Sequence, residues 1–256
     1  MAPGETSARR LEAAEAANAR GCLGNRADSA VLEVAGGVAV FSGAESPLTH
    51  AVGIGLNGPV PPRELDRLEE FFRSRGARPV IDLCPFADAG LVELLAARGY
   101  RLTEFNNVLA RRVSGEMVLT PRVRRACAGE VDLWSHTVGA GFFETDRLTT
   151  EEMDVGRAIC AMPGAITYLA ATESGQPAGG GALAIHEGLA TFFADSTLSR
   201  FRRQGIHREL IAARMNEALA RGCDLAMAST LPGSISQRNY ERAGFQVVYT
   251  KVTMAG

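Results

Sequence analysis

The sequence punctuates itself twice in the same order. Arg-Gly at 75–76 and Arg-Gly-Tyr at 98–100 each close a helix-like segment, and Arg-Gly at 221–222 and Ala-Gly-Phe at 243–245 do the same later. The interval from Gly76 to Gly222 matches that from Gly99 to Gly244 to within one residue, so a supersecondary unit is repeated along the chain. A length of 256 residues allows one large or two small domains. The repeat selects two, spanning 1–114 and 115–256, with the boundary near Ser114 and Gly115.

The first copy opens on a helix over 7–20, with Gly21 and Gly24 as stop signals. Short apolar runs at 31–35, 37–41 and 50–56 read as strands. The segment from Pro61 to Gly76 places Leu65, Leu68, Phe71 and Phe72 at helical spacing. A strand (78–83), a helix (91–98) and a strand (100–112) follow. The second copy reads as strands at 116–120, 165–172, 179–186 and 189–197, a helix over 206–221, a strand at 224–229, a helix over 234–243 and a strand at 245–253. This is an α/β (α+β) chain in which each copy is a mixed sheet flanked by helices.

Composition removes several function classes. Hydrophobic residues at 46% and charged residues at 22% are globular values, and no apolar run is long enough to span a bilayer. The first ten residues have no apolar core, so no signal peptide is expected. Twenty-seven basic against 29 acidic residues give a net charge of −2, which provides no field for a nucleic-acid backbone. Lys251 is the single lysine and is followed by valine, which excludes a Walker A loop. Cys22, Cys84, Cys127, Cys160 and Cys223 are never paired as C-x-x-C, so neither a disulfide framework nor a zinc site is expected, and the cytoplasm is the expected compartment.

Two glycine-containing turns compete as ligand sites. Gly53, Gly55 and Gly58 form G-x-G-x-x-G, with Asp82 placed where a ribose-binding acid would sit. Pro59, Pro61 and Pro62 separate this motif from the next helix, so the last glycine cannot lie inside that helix. In the second copy, STLSRFRRQGIHREL (196–210) runs from a strand through a basic turn directly into a helix. The unpaired N–H groups of a helix start and the helix dipole attract anions. Arg200, Arg202, Arg203 and Arg208 add cationic donors, and Gly205 lets a phosphate approach the backbone.

With these residues the chain resembles the GNAT superfamily of acetyl-CoA-dependent N-acetyltransferases. Arg202-Arg203-Gln204-Gly205-Ile206 matches the family's Q/R-x-x-G-x-G/A signature up to its last position, where His207 stands instead of glycine or alanine. Ile235 to Phe245 (ISQRNYERAGF) is similar to the family's closing segment, with Asn239 near the coenzyme and Tyr240 ahead of Gly-Phe. The resemblance covers 116–256, and 20–112 as a degenerate copy in which NGPVPP replaces the phosphate loop. It implies one acetyl-CoA site per chain, no metal, and direct acetyl transfer to an amine.

The resemblance also implies roles for individual residues. Arg202 to Arg208 would hold the diphosphate, Thr197 and Leu198 the pantetheine, and Asn239 the coenzyme beside them. By the two-residue strand period Thr191, Phe193 and Asp195 share one face. Thr191 stands where several members carry a glutamate, which leaves Asp195 as base, as anchor for the substrate ammonium, or as the partner of a nearby arginine. Tyr240 is the expected proton donor to the departing thiolate, with a buried structural tyrosine as the alternative. Glu144, in GAGFFETD, is the expected acceptor contact. His136 and His186 read as structural and Trp134 as core. The expected acceptor is a small-molecule amine, bound by a monomer or homodimer, with neither nucleic acid nor membrane as partner. The first copy is expected to cover one side of the acceptor cleft. Two alternatives remain: a non-catalytic acyl-CoA binding or sensing protein, and a dinucleotide enzyme using Gly53 to Gly58.

Overall fold

The structure, a computed structural model, describes residues 3–23 and 28–256. Gly24, expected to end the first helix, lies outside the described residues. The chain divides into two compact units, Met1–Val108 with Val247–Gly256, and Leu109–Gln246. The division falls six residues before the boundary expected at Ser114, and the last ten residues return to the first unit instead of completing the second.

The first unit contains α1 (Pro3–Gly21), β1 (Ala30–Val34), β2 (Gly37–Phe41), β3 (His50–Val52), α2 (Pro62–Arg73), β4 (Val80–Leu83), α3 (Ala89–Ala97), most of β5 (Arg101–Arg112) and nearly all of β11 (Gln246–Ala255). Its strands lie in the order β1-β2-β3-β4-β11-β5. β2 is buried along its whole length because both faces are covered. Val38 and Val40 pack with Ala16 and Leu23, at and just beyond α1, while Ala39 and Phe41 join Leu65, Leu68 and Phe72 of α2. β3 stops at Val52, short of the run expected to 56, since Gly53, Gly55 and Gly58 all take positive φ. Gly55 donates to Ala35 O at 3.0 Å and accepts from Asp88 N at 2.9 Å, and an added Cβ would sit 2.9 Å from Leu91 Cδ2. Asp82 accepts from Thr253 Oγ1 at 2.7 Å and faces His50 Nδ1 at 3.7 Å. The glycine motif is thus a packed turn, and the acid expected to read a ribose is committed to neighbouring strands.

The second unit runs through β6 (Val123–Arg125), α4 (Val131–Phe142), α5 (Thr150–Ala161), β7 (Ile166–Ala171), β8 (Pro177–His186), β9 (Leu189–Thr197), α6 (Ile206–Ala220), β10 (Leu225–Thr230) and α7 (Ile235–Arg242). β6 to β9 form an antiparallel meander, and β10 joins β9 in parallel. One face of this sheet packs Tyr168, Leu183, Ala190 and Phe192 against Ile206, Leu210 and Ile211 of α6. Trp134 of α4 is fully buried and donates from Nε1 to Tyr168 O at 3.0 Å. Residues 116–120, expected as a strand, have no ladder; the Asn216 side chain instead bonds the backbone N and O of Val118, at 2.9 and 2.7 Å.

Candidate functional site

β9 and β10 run side by side only part of the way. Their parallel pairing extends from Leu225 opposite Leu189 to Ala228 opposite Phe192 and then ends. Beyond it β9 continues through Phe193 to Thr197 and β10 through Ser229 and Thr230. On the other side of β9 the register with β8 slips between Gly180 and Ala182, so two residues, Ala194 and Asp195, stand where β8 offers Gly181 alone. This is a β-bulge, and Ala194 sits at φ +55°, a conformation uncommon for any residue but glycine.

The bulge reverses the side-chain alternation. Asp195, expected on the face of Thr191 and Phe193, turns instead to the face of Phe192, toward α6. There the fully buried Arg214 meets both: its guanidinium pairs with Asp195 and lies 4.8 Å over the Phe192 ring. Glycine at 181 leaves room for this arrangement, since a Cβ would lie 3.0 Å from Asp195 Oδ1 and 3.1 Å from Arg214 Cζ and would press on the pair.

Tyr240 completes the cluster. Its hydroxyl donates to Asp195 Oδ2 and accepts from an Arg214 N–H at 3.5 Å. Arg214 also donates to the carbonyls of Leu210 and Ala182, at 3.0 and 3.2 Å. Burial alone would raise the Asp195 carboxyl, but Arg214, His207 and Tyr240 together hold it well below the usual carboxylate range. Burial pushes the Tyr240 phenol well above its ordinary value, with Arg214 opposing and Asp195 reinforcing the rise. Asp195 is therefore held as an anion by Arg214, the arginine partner that its sequence position allowed for. Tyr240 is a phenol that keeps its proton until something withdraws it.

The basic turn delivers the helix start that the sequence promised. Gly205 at φ +81° caps α6, and Arg203 is at φ +63° two residues earlier. Alternating left-handed and ordinary residues turn successive N–H groups to one side, a concavity suited to an anion. Arg122 buttresses the turn from outside, donating to Gln204 O at 2.9 Å and to Glu209 Oε1 at 2.8 Å. His207 does not crowd it. Its ring is edge-on to Tyr240 at 5.5 Å, with Nδ1 3.1 Å from Asn239 Nδ2 and Nε2 3.5 Å from Asp195 Oδ1.

The remaining expected residues fall in different places. Leu198 is buried and spends its N–H on Ala178 O at 2.9 Å, whereas Thr197 is half-buried with its carbonyl 3.3 Å from Arg202 Nε. Arg202 also pairs with Glu144 at 2.7 Å and donates to Gly141 O at 3.3 Å, so it links the end of α4 to the end of β9. Glu144 takes φ +57° beside the exposed Phe142, and Arg200 pairs with Asp146 at 3.3 Å. Arg208 lies on the exposed side of α6. His136 contacts Asp146 O at 3.2 Å, and burial lowers the His186 imidazole.

Three residues were not anticipated. Arg214 reads in sequence as one more charge on an amphipathic helix, yet it is the pivot of the cluster. Ser196, next to last on β9, and Thr230, last on β10, carry buried hydroxyls with no hydrogen-bond partner among the described residues. A buried hydroxyl left unpaired is costly; Ser196 Oγ packs against Gly141 of α4, which leaves Thr230 at the end of β10 as the hydroxyl that fits a ligand bringing polar groups, such as amides, into the opening. Among the described residues no group of three side chains could hold a metal ion.

Residues 138–245 match the model of the Acetyltransferase (GNAT) family. The second unit carries a GNAT acetyltransferase domain. Solved structures agree on the fold over nearly the whole chain. A GCN5-related N-acetyltransferase from Kribbella flavida superposes with TM-score 0.68 at 19% identity, covering 96% of this chain and 94% of that one. A tandem GNAT protein from the clavulanic acid biosynthesis pathway gives TM-score 0.59 at 13% identity, over 99% and 94%. A GCN5-related N-acetyltransferase from Sphaerobacter thermophilus gives TM-score 0.59 at 15% identity, over 89% and 75%. No curated protein matches the sequence.

Proposed function

We propose that this chain transfers an acetyl group from acetyl-CoA directly to a primary amine of a small molecule. The observation that carries the reading is the divergence of β9 from β10 beside the helix start at Gly205. The GNAT domain supplies the acyltransferase class. In this reading the first-turn N–H groups of α6 and the side chain of Arg203 hold the diphosphate, since Arg203 sits within the turn and is exposed. Thr197 and Thr230, at the ends of β9 and β10, supply the polar groups at the mouth, and Asn239 is bonded to His207 in the first turn of α6. Arg202 acts as a strut and not as a free phosphate ligand, because its guanidinium already has three acceptors. When bound, acetyl-CoA supplies an activated acyl group.

The chain's part in the transfer is to exclude water, to orient the reactants and to manage one proton. In the transfer Tyr240 would turn its O–H from Asp195 to the leaving sulfur, and the phenolate so formed would take up the proton that the attacking amine loses, so that the phenol is restored as the amide forms. The amino-terminal unit is a degenerate copy of the same fold, since it repeats the order of strands and helices while Pro59, Pro61 and Pro62 stand where N–H donors would be needed. Calorimetric titration with acetyl-CoA, CoA and NADH, repeated on Gly205→Glu, tests the coenzyme assignment. Acetyl-CoA and CoA should bind and be lost in the variant; NADH binding alone would overturn the reading. Release of free thiol with a panel of small amines tests transfer. The engagement of Asp195 by Arg214 favours acyl-CoA binding without catalysis as the second reading, and binding without thiol release would select it.

A further inference from the structure

A cavity of about 440 Å³ lies along one flank of α6, and Tyr240, Asp195 and Arg214 do not line it. One wall is the helix itself, through Ile211, Met215 and Leu219 at four-residue spacing; the other is the segment after β5, through Val118 and Leu119. Leu119 is 92% exposed and Val118 59%, so aliphatic surface stands open to water on the cavity's own wall. That wall is held in place by the two bonds from Asn216 to the Val118 backbone. Four arginines edge the space, Arg111, Arg122, Arg208 and Arg242, against two acids, Glu116 and Glu209. Glu209 is consumed by Arg122, Arg111 is bonded to Ala243 O and Arg242 to Asn239 Oδ1 at 3.3 Å. Arg208 has no partner among the described residues.

An excess of cations around an aliphatic floor specifies an anion with an apolar body. From Arg208 to Leu219 the helix rises about 16 Å, a slot long enough for an extended alkyl chain. No aromatic ring lines it, so nothing there offers a stacking platform for a base. We infer that this cavity is a second ligand site, which takes an aliphatic monocarboxylate with its head group at Arg208 and its chain along Ile211, Met215 and Leu219. Gly205 contributes to the cavity and also caps the proposed diphosphate turn, so the two sites share a wall.

The test is calorimetric titration of the full chain with octanoate, with octanamide as the uncharged comparison, in the absence and presence of saturating CoA. Octanoate should bind and octanamide should not, and CoA should leave octanoate in place. Leu119→Glu, at an exposed position that cannot unfold the core, and Ala212→Trp, which fills the slot, should each weaken octanoate about tenfold or more while CoA affinity is retained. Absence of octanoate binding at millimolar concentration, equal binding of octanamide, or indifference to both variants overturns the site. Displacement of octanoate by CoA also overturns it, by assigning the cavity to the coenzyme. Whether CoA itself binds tests the acetyltransferase reading separately, because octanoate binding does not depend on it.

Discussion

The guanidinium of Arg214 and the carboxylate of Asp195 form an ion pair in the core of the second unit, with the arginine side chain at 0% and the aspartate at 14% exposure. Neither charge could remain there alone. Replacing Arg214 by methionine keeps much of the volume but strands a buried carboxylate and removes two bonds to the Leu210 and Ala182 carbonyls, so a loss of about 3–5 kcal/mol is expected. Urea denaturation measures it. A loss under 1 kcal/mol would mean that the pair is not a stability element. The pH dependence has a defined sign: the Asp195 carboxyl is lower in the folded state than in the unfolded chain, so its contribution is present above the ordinary carboxylate range and disappears as pH falls below it.

Tyr240→Phe separates chemistry from packing. The ring, buried against Phe245 at 5.0 Å and His207 at 5.5 Å, is preserved, and Arg214 still neutralises Asp195. Acetyl transfer should fall about 100-fold, the scale of a lost general acid, while CoA affinity changes less than twofold. Unchanged turnover would leave Tyr240 as a structural tyrosine.

Legibility in the sequence followed locality. The turn from Arg202 to His207 and the helix after it were readable because a glycine cap and a basic approach are short-range signals. The Ala194 bulge was not, because alanine carries no preference for positive φ; the conformation is imposed by β8, where the run of glycines leaves space opposite. Two helices escaped assignment for different reasons. In α4, Gly139 and Gly141 weaken the helical pattern, yet Gly141 is there because a Cβ would lie 2.1 Å from Ser196 Oγ. In α5 the signal was present in the Thr149 and Glu152 capping box, which the structure forms in full. Residues 116–120 carry a short apolar run, Met117 to Leu119, like a buried strand, but the side chain of Asn216 takes up the Val118 backbone groups that a ladder would have used.

Gly205 has both a conformational and an electrostatic role. At φ +81° any side chain is strained, and a Cβ would meet Arg122 Nη2 at 3.3 Å. Gly205→Ala imposes only the first cost, about 1–2 kcal/mol, which corresponds to a CoA affinity reduced by roughly tenfold if the turn distorts. Gly205→Glu adds a negative charge at the helix start and should abolish measurable binding. Equal affinities for wild type, alanine and glutamate would remove the turn from the coenzyme site.

The first unit carries its own buried electrostatic problem, and its solution predicts a pH dependence opposite in sign to that of Asp195. Lys251 on β11, the chain's single lysine, faces two carboxylates of α1: Glu12 at 3.2 Å and Glu15. Tyr249 adds a hydrogen bond to Glu12 Oε1 at 2.6 Å. One ammonium cannot neutralise two anions, and burial pushes the Glu12 carboxyl up to about 7 despite the lysine. The folded chain therefore holds a proton that the unfolded chain releases at an ordinary value of 4.5. By linkage, this group's contribution to stability falls as pH rises through the window from 4.5 to about 7, by at most about 1.4 kcal/mol per pH unit. Glu12→Gln should flatten that slope while retaining the Tyr249 contact, and urea midpoints at pH 5, 6 and 7.5 compare the two. An identical slope in the variant would show that Glu12 stays ionised throughout and that Lys251 satisfies both acids.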